Sequence, residues 1–201
     1  MKICLFARYP RLGQVKSRLA KDCGEEGALL LYQKILENIF RQLNPLKEKV
    51  KVFYTGCTAS EANQWLMDYE HAAQCEGDLG ERLKYVLTTE KFEKLIFIGV
   101  DCLDITEKIL SEAEQMLDSS DVVLGPASYG GYYLIGLNKP QKELFNDIDW
   151  GTARVFEQTM NIIYNNNLSY SLLPEKNDLD YMKDIPHEWK LELDLLNDCE
   201  A

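Results

Sequence analysis

Two cations and a scatter of carboxylates are the residues of this chain best suited to chemistry. Lys16 and Arg18 follow an apolar run, Ile3 to Ala7, and a loop holding Pro10 and Gly13. A glycine-containing loop between a buried strand and a helix offers backbone N–H groups, and the helix start favours anions. Lys and Arg add charge-assisted hydrogen bonds. Phosphate is the ligand such a loop suits; a solvated, solubilising turn is the other reading of the same residues. Asp101 closes the apolar run Leu95–Val100 (LIFIGV). A carboxylate there suits Mg²⁺ or Mn²⁺, which bind through one or two carboxylates plus substrate phosphates. Asp104, in the same loop, reads as the cap of a helix starting near Thr106. Asp178-Leu179-Asp180 sets two carboxylates on one side of an extended segment, either completing a metal site with Asp101 or as solvated charge.

Three further junctions could line a ligand. Gly125 to Tyr133 (GPASYGGYY) is glycine-rich, allowing close backbone approach or positive φ; a hairpin turn explains Gly130 and Gly131 equally. Gln74 and Gly77 to Arg82 form a loop-to-helix junction. Capping accounts for Asp78 and Glu81, leaving Arg82 as the candidate ligand contact. Thr152 reads as a helix N-cap, and Trp150 either shapes a pocket or fills the core.

The elements needed to position these residues alternate. Strands are expected at Ile3–Ala7, Val50–Tyr54, His71–Cys75, Leu95–Val100, Asp121–Gly125, Tyr132–Leu137 and Tyr170–Leu173. Helices are expected at Glu25–Gln42, Glu61–Asp68, from Asp78 to Leu87, Thr106–Leu117, Ala153–Asn165 and Pro186–Asp198. This alternation predicts a three-layer α/β fold with a mostly parallel sheet, whose ligands bind beyond the carboxyl ends of the strands. The 201 residues fit one domain spanning 1–201. Neither the G-x-G-x-x-G fingerprint nor the P-loop is present.

Composition narrows the partners. With 33 Asp plus Glu against 22 Lys plus Arg, the formal charge is −11, which argues against nucleic acid. A nucleotide needs only a few local cations. No run is long enough for a membrane span and Met1-Lys2 does not begin a signal peptide, so cytoplasm is the expected compartment. Six cysteines (Cys4, Cys23, Cys57, Cys75, Cys102, Cys199) contain no C-x-x-C pair, and the histidines are only His71 and His187. Disulfides and zinc are therefore not expected, and Cys4 and Cys102 read as small core residues.

Taken in order, the motifs resemble those of the DUF2064, or selenodomain-associated transferase 1, family. That family resembles GT-A-type nucleotide-diphospho-sugar transferases and the MobA-like and CofC-like nucleotidyltransferases. The resemblance rests on Phe6 to Leu19, Gln74 to Arg82, Gly99 to Leu103, Gly125 to Tyr132 and Trp150 to Thr152, with a late D-x-D at Asp178 and Asp180. It implies a GT-A-like fold and a metal-dependent glycosyltransferase using a nucleotide-diphospho-sugar donor and a small-molecule acceptor. The alternatives are a nucleotidyltransferase joining an NTP to a phosphorylated small molecule, or a catalytically weakened nucleotide-binding protein. The implied nucleotide contacts are Arg8, Gly13, Lys16, Arg18, Gly80 and Arg82. Asp101, Asp178 and Asp180 would hold Mg²⁺ or Mn²⁺, with Asp101 and Asp180 catalytic. Tyr129, Gly130, Gly131 and Trp150 would line the sugar or acceptor pocket. Two departures stand out: Leu103 replaces a proline of the family pattern, and Tyr129 replaces an aspartate, which removes a charged ligand from the glycine loop.

Overall fold

The computed structural model describes residues 1–199, with side chains described as far as Leu193. The side chain of Cys199 lies outside the described residues. Seven strands form one sheet: β1 (Lys2–Arg8), β2 (Val50–Thr55), β3 (Glu70–Ala73), β4 (Leu95–Ile98), β5 (Val122–Pro126), β6 (Tyr132–Leu137) and β7 (Tyr170–Leu172). Their order is β3-β2-β1-β4-β6-β5-β7. Only β6 runs antiparallel to its neighbours; the remaining pairings are parallel. The mostly parallel α/β reading therefore holds.

Six helices cover the sheet: α1 (Ala20–Leu43), α2 (Ala59–Trp65), α3 (Leu79–Thr89), α4 (Glu107–Met116), α5 (Val155–Asn165) and α6 (His187–Cys199). The two-residue period of the strands assigns each face its core. Ile3, Leu5 and Ala7 of β1 and Ile96 and Ile98 of β4 join side chains of α1, α2 and α4. Cys4 of β1 and Leu95 and Phe97 of β4 join Leu83, Val86 and Leu87 of α3 and Met160 and Ile163 of α5. A strand buried on both faces needs apolar residues at every position, and all four residues of β4 are buried.

Four of the differences from expectation bear on the loops around the strand ends. β4 ends at Ile98, so Gly99 and Val100 leave the sheet and carry Asp101 past its edge. α1 includes a turn before Gly24, whose φ of 71° breaks the helix there; the regular helix begins near Glu25, as its periodicity predicts. The cap of α4 is Thr106, whose side chain accepts from the Ile109 N–H, not Asp104. The Asp104 carboxylate instead lies 3.7 Å from Lys176. Thr152 is not the cap of α5 either, because a turn through Gly151 delays the helix to Val155. Its hydroxyl donates to the Asp149 carbonyl at 2.8 Å. Cys4 and Cys102 are buried, and the described cysteines are free thiols. Burial pushes the Cys102 thiol up to about 11.

Candidate active site

The site lies where β1 and β4 end side by side. Tyr32 of α1 fixes the end of β1: its hydroxyl donates to the Arg8 carbonyl at 2.9 Å and accepts from the Arg8 N–H at 3.0 Å. The loop beyond is pinned by Arg11, which pairs with Glu61 at 2.5 Å and lies over the Tyr9 ring. Buried Val15 and Leu19 anchor it on either side of Lys16. Lys16 itself has φ of 47°, a conformation that costs a non-glycine residue roughly 1–3 kcal/mol and clusters at functional sites.

That backbone aims the Lys16 ammonium inward. Its side chain is only 7% exposed, and Nζ lies 2.8 Å from Asp101 Oδ1 and 3.7 Å from Asp180 Oδ1. It also donates to the Leu179 carbonyl at 2.6 Å. The Leu179 N–H in turn donates to the Asp101 carbonyl at 2.8 Å, and its side chain is buried. Leu179 therefore staples the late loop to the end of β4 and leaves Asp178 and Asp180 directed to the site. Arg18 pairs with Asp180. Asp178 has no ion-pair partner among the described residues. Burial, then the charges of Asp101 and Asp180, push its carboxyl up to about 6 against the opposing pull of Lys16.

Two adjoining cavities share Asp101, Asp180 and Leu79. The first, about 300 Å³, is lined by Arg8, Gln14, Lys16, Thr55, Gln74 and Arg82 among others. Arg82 is held there by hydrogen bonds to the Gly77 carbonyl at 3.1 Å and the Gln74 side chain at 3.0 Å. The second, about 440 Å³, is lined by Arg18, Tyr129, Gly131, Trp150, Asp178 and Tyr181 among others. Most residues singled out from the sequence thus meet at one edge of the sheet. Trp150 satisfies both readings, packing partly buried against the core while lining the second cavity.

Three of the glycines do other work. Gly13 is a turn residue with φ of 71° and lines neither cavity. A Cβ on Gly80 would lie 2.7 Å from the Phe145 carbonyl oxygen and 2.7 Å from Trp150 Nε1, so this glycine lets α3 approach Trp150. A Cβ on Gly130 would lie 2.1 Å from the Ala153 carbonyl oxygen, making it a packing residue beneath the second cavity. Sequence reasoning missed Asp184, which accepts the Tyr129 hydroxyl at 2.9 Å and the Tyr181 N–H at 2.9 Å. Its partner Tyr129 lies 55 residues away, and no local pattern joins the two. Leu79, 40% exposed between the cavities, carries a local signal: a bare leucine in the first turn of a helix.

Among the described residues, no three His, Cys, Asp or Glu side chains are grouped to hold a metal ion unaided. Mg²⁺ and Mn²⁺ do not require that, since phosphates complete their shell. Asp101, Asp178 and Asp180 line one space, and their carboxylates are hard oxygen donors of the kind these cations take.

The fold is that of nucleotide-diphospho-sugar transferases and nucleotidyltransferases. A crystal structure from Desulfovibrio desulfuricans G20, of a protein provisionally assigned as a nucleotide-diphospho-sugar transferase, aligns with TM-score 0.85 at 27% identity over 99% of this chain and 96% of that one. CMP:2-keto-3-deoxy-manno-octonic acid synthetase complexed with CTP aligns with TM-score 0.54 at 11% identity, over 98% of each chain. Molybdopterin-guanine dinucleotide biosynthesis protein A from Archaeoglobus fulgidus aligns with TM-score 0.51 at 14% identity, over 87% of this chain and 83% of that one. These last two share the fold alone. No curated protein matches the chain. Residues 39–152 match the model of DUF2064, described as uncharacterized protein conserved in bacteria, and the chain belongs to that family. No described helix is long and apolar enough to cross a membrane.

Proposed function

We propose that the protein transfers a sugar from a nucleotide-diphospho-sugar to a small-molecule acceptor with the help of Mg²⁺ or Mn²⁺. The observation that carries this reading is the Lys16 ammonium, 7% exposed and 2.8 Å from Asp101, a carboxylate that lines both cavities. The first cavity takes the nucleotide, and Arg8, Lys16 and Arg82, which line it, supply charge for its phosphates; Arg18 lines the second. Asp101 and Asp180 would hold the metal once Lys16 turns from them to phosphate. The metal supplies electrostatic stabilisation of the departing nucleotide diphosphate. Asp101 and Asp180 are then occupied, so Asp178, without an ion-pair partner among the described residues, is left to accept the acceptor's proton. Val100, Leu79 and Trp150 supply apolar wall beside the reacting centre.

Nucleotidyl transfer to a phosphorylated molecule would use the same first cavity and differs in what occupies the second. A thermal-shift panel of UDP-, GDP-, ADP-, CDP- and dTDP-sugars and the NTPs, with and without Mn²⁺, separates the two. Ligand at a hundredfold excess over Kd stabilises by about 2.7 kcal/mol. A Mn²⁺-dependent shift with one nucleotide-sugar is expected. A shift with an NTP alone would support nucleotidyl transfer, and no shift with any member would contradict both.

A further inference from the structure

The second cavity carries a feature that the transfer reading does not supply: its walls are aromatic and its charges are nearly all carboxylate. Tyr132 and Trp150 stand nearly perpendicular, with ring centroids 6.5 Å apart. Tyr129 and Tyr181 meet edge to face at 5.4 Å. Asp101, Asp178 and Asp180 face the same space. Arg18 is the cation among its lining residues, and it is already spent on Asp180 and on the Tyr181 ring. Lys183 lies over the rings of Tyr129 and Tyr181, at 5.2 and 5.8 Å, and is not among the lining residues.

We infer that this cavity takes an uncharged, ring-shaped, hydroxyl-bearing acceptor of pyranoside type and rejects a phosphorylated one. The inference rests on the proposed transfer reading and names the acceptor within it. Aromatic faces cover the apolar C–H faces of a sugar ring, while carboxylates accept hydrogen bonds from its hydroxyls. With the metal's charge spent on the donor diphosphate, a phosphate in the same place would still meet Asp178 with no uncommitted cation among the lining residues, and like-charge juxtaposition is how sites exclude partners. Tyr129 contributes directly. Its ring lines the cavity, and the Tyr129 hydroxyl is tied to Asp184 at 2.9 Å. The ring is therefore a fixed wall rather than a mobile side chain.

The test is saturation-transfer NMR on the full-length protein. The probes are methyl glucoside, galactoside, mannoside and N-acetylglucosaminide, set against glucose 6-phosphate, galactose 6-phosphate, mannose 6-phosphate and N-acetylglucosamine 6-phosphate. At least one methyl pyranoside is expected to take up saturation about tenfold more strongly than its phosphate. That signal should fall in Trp150→Leu and in Tyr129→Asp, with the second variant deciding if the first fails to fold. Equal or stronger uptake by the phosphates would overturn the inference, as would uptake by no pyranoside or uptake insensitive to both substitutions. Nucleotide-induced thermal shifts on the same samples separate the two readings. Nucleotide binding without pyranoside binding overturns this inference alone, and pyranoside binding without nucleotide binding overturns the transfer reading.

Discussion

The two ends of the sheet handle charge in opposite ways. At the amino ends of β1–β3, Lys2 and Lys51 interleave with Glu70 and Glu90. Lys51 lies 2.9 Å from Glu70 and 2.8 Å from Glu90, and Lys2 lies 2.5 Å from Glu90. Two cations meet two anions, and every one of these charges has a partner. Burial alone would raise the Glu90 carboxyl, but hydrogen bonds from Lys2 and Lys51 outweigh it and hold it low. At the carboxyl ends, Asp101 and Asp180 share Lys16 and Arg18, and Asp178 goes unpaired among the described residues. A balanced network is what stability alone would select. An unpaired carboxylate beside a lysine in a left-handed backbone is a cost that a ligand relieves. The difference separates architecture from function without reference to any relative.

Three substitutions sharpen that contrast, and the largest effect belongs to Lys16. Lys16→Met leaves the carboxylates at the ligand end without their inner cation and should cost about 3 kcal/mol at pH 8 in urea denaturation. The loss should shrink in acid, where carboxylates take up protons. A change within experimental error would mean the lysine is a surface group. Next comes Glu90→Gln, which strands Lys2 and Lys51 and should cost about 1–2 kcal/mol without altering nucleotide-induced shifts. Because the native Glu90 carboxyl lies below its unfolded value near 4.5, this cost should be full above that pH and fade as the pH falls through the native value. An effect on nucleotide binding would show that the two ends are coupled. The smallest effect has the opposite sign. Asp178→Asn should stabilise the free protein by about 1 kcal/mol at pH 8, a figure reduced for the carboxyl's remaining contact with water. The raised carboxyl contributes fully below its unfolded value near 3.8 and loses that contribution as the pH rises through about 6. The gain should therefore vanish toward pH 4. Destabilisation at pH 8 would show that Asp178 is structural.

Much of this contrast was legible in the sequence at the ligand end and little of it at the other. LIFIGV announces a central strand because a strand covered on both faces has no polar positions, and Asp101 at its end follows. Lys16 stood out because cations beside a glycine loop are rare in so acidic a chain. The antiparallel direction of β6 was not legible, since alternation fixes faces and not direction. Nor were the caps of α4 and α5: Asp104 and Thr152 have the right residue types, and only the backbone path decides which residue sits at the first free N–H. The Lys2–Glu90 pair spans 88 residues and Tyr129–Asp184 spans 55, so both depend on the finished topology. Gly80 and Gly130 read as ligand contacts from the sequence because glycine type is visible there and its neighbours are not.

The most direct test of the central claim is titration calorimetry with the nucleotide that gives the largest thermal shift, with and without Mn²⁺, on the wild type and Asp101→Asn. The account predicts that Mn²⁺ strengthens binding to the wild type by at least about tenfold, or about 1.4 kcal/mol, and that Asp101→Asn keeps the metal-free affinity while losing that increment. Unchanged Mn²⁺-dependent affinity in Asp101→Asn would contradict it, because the metal would then be held without the carboxylate that Lys16 guards.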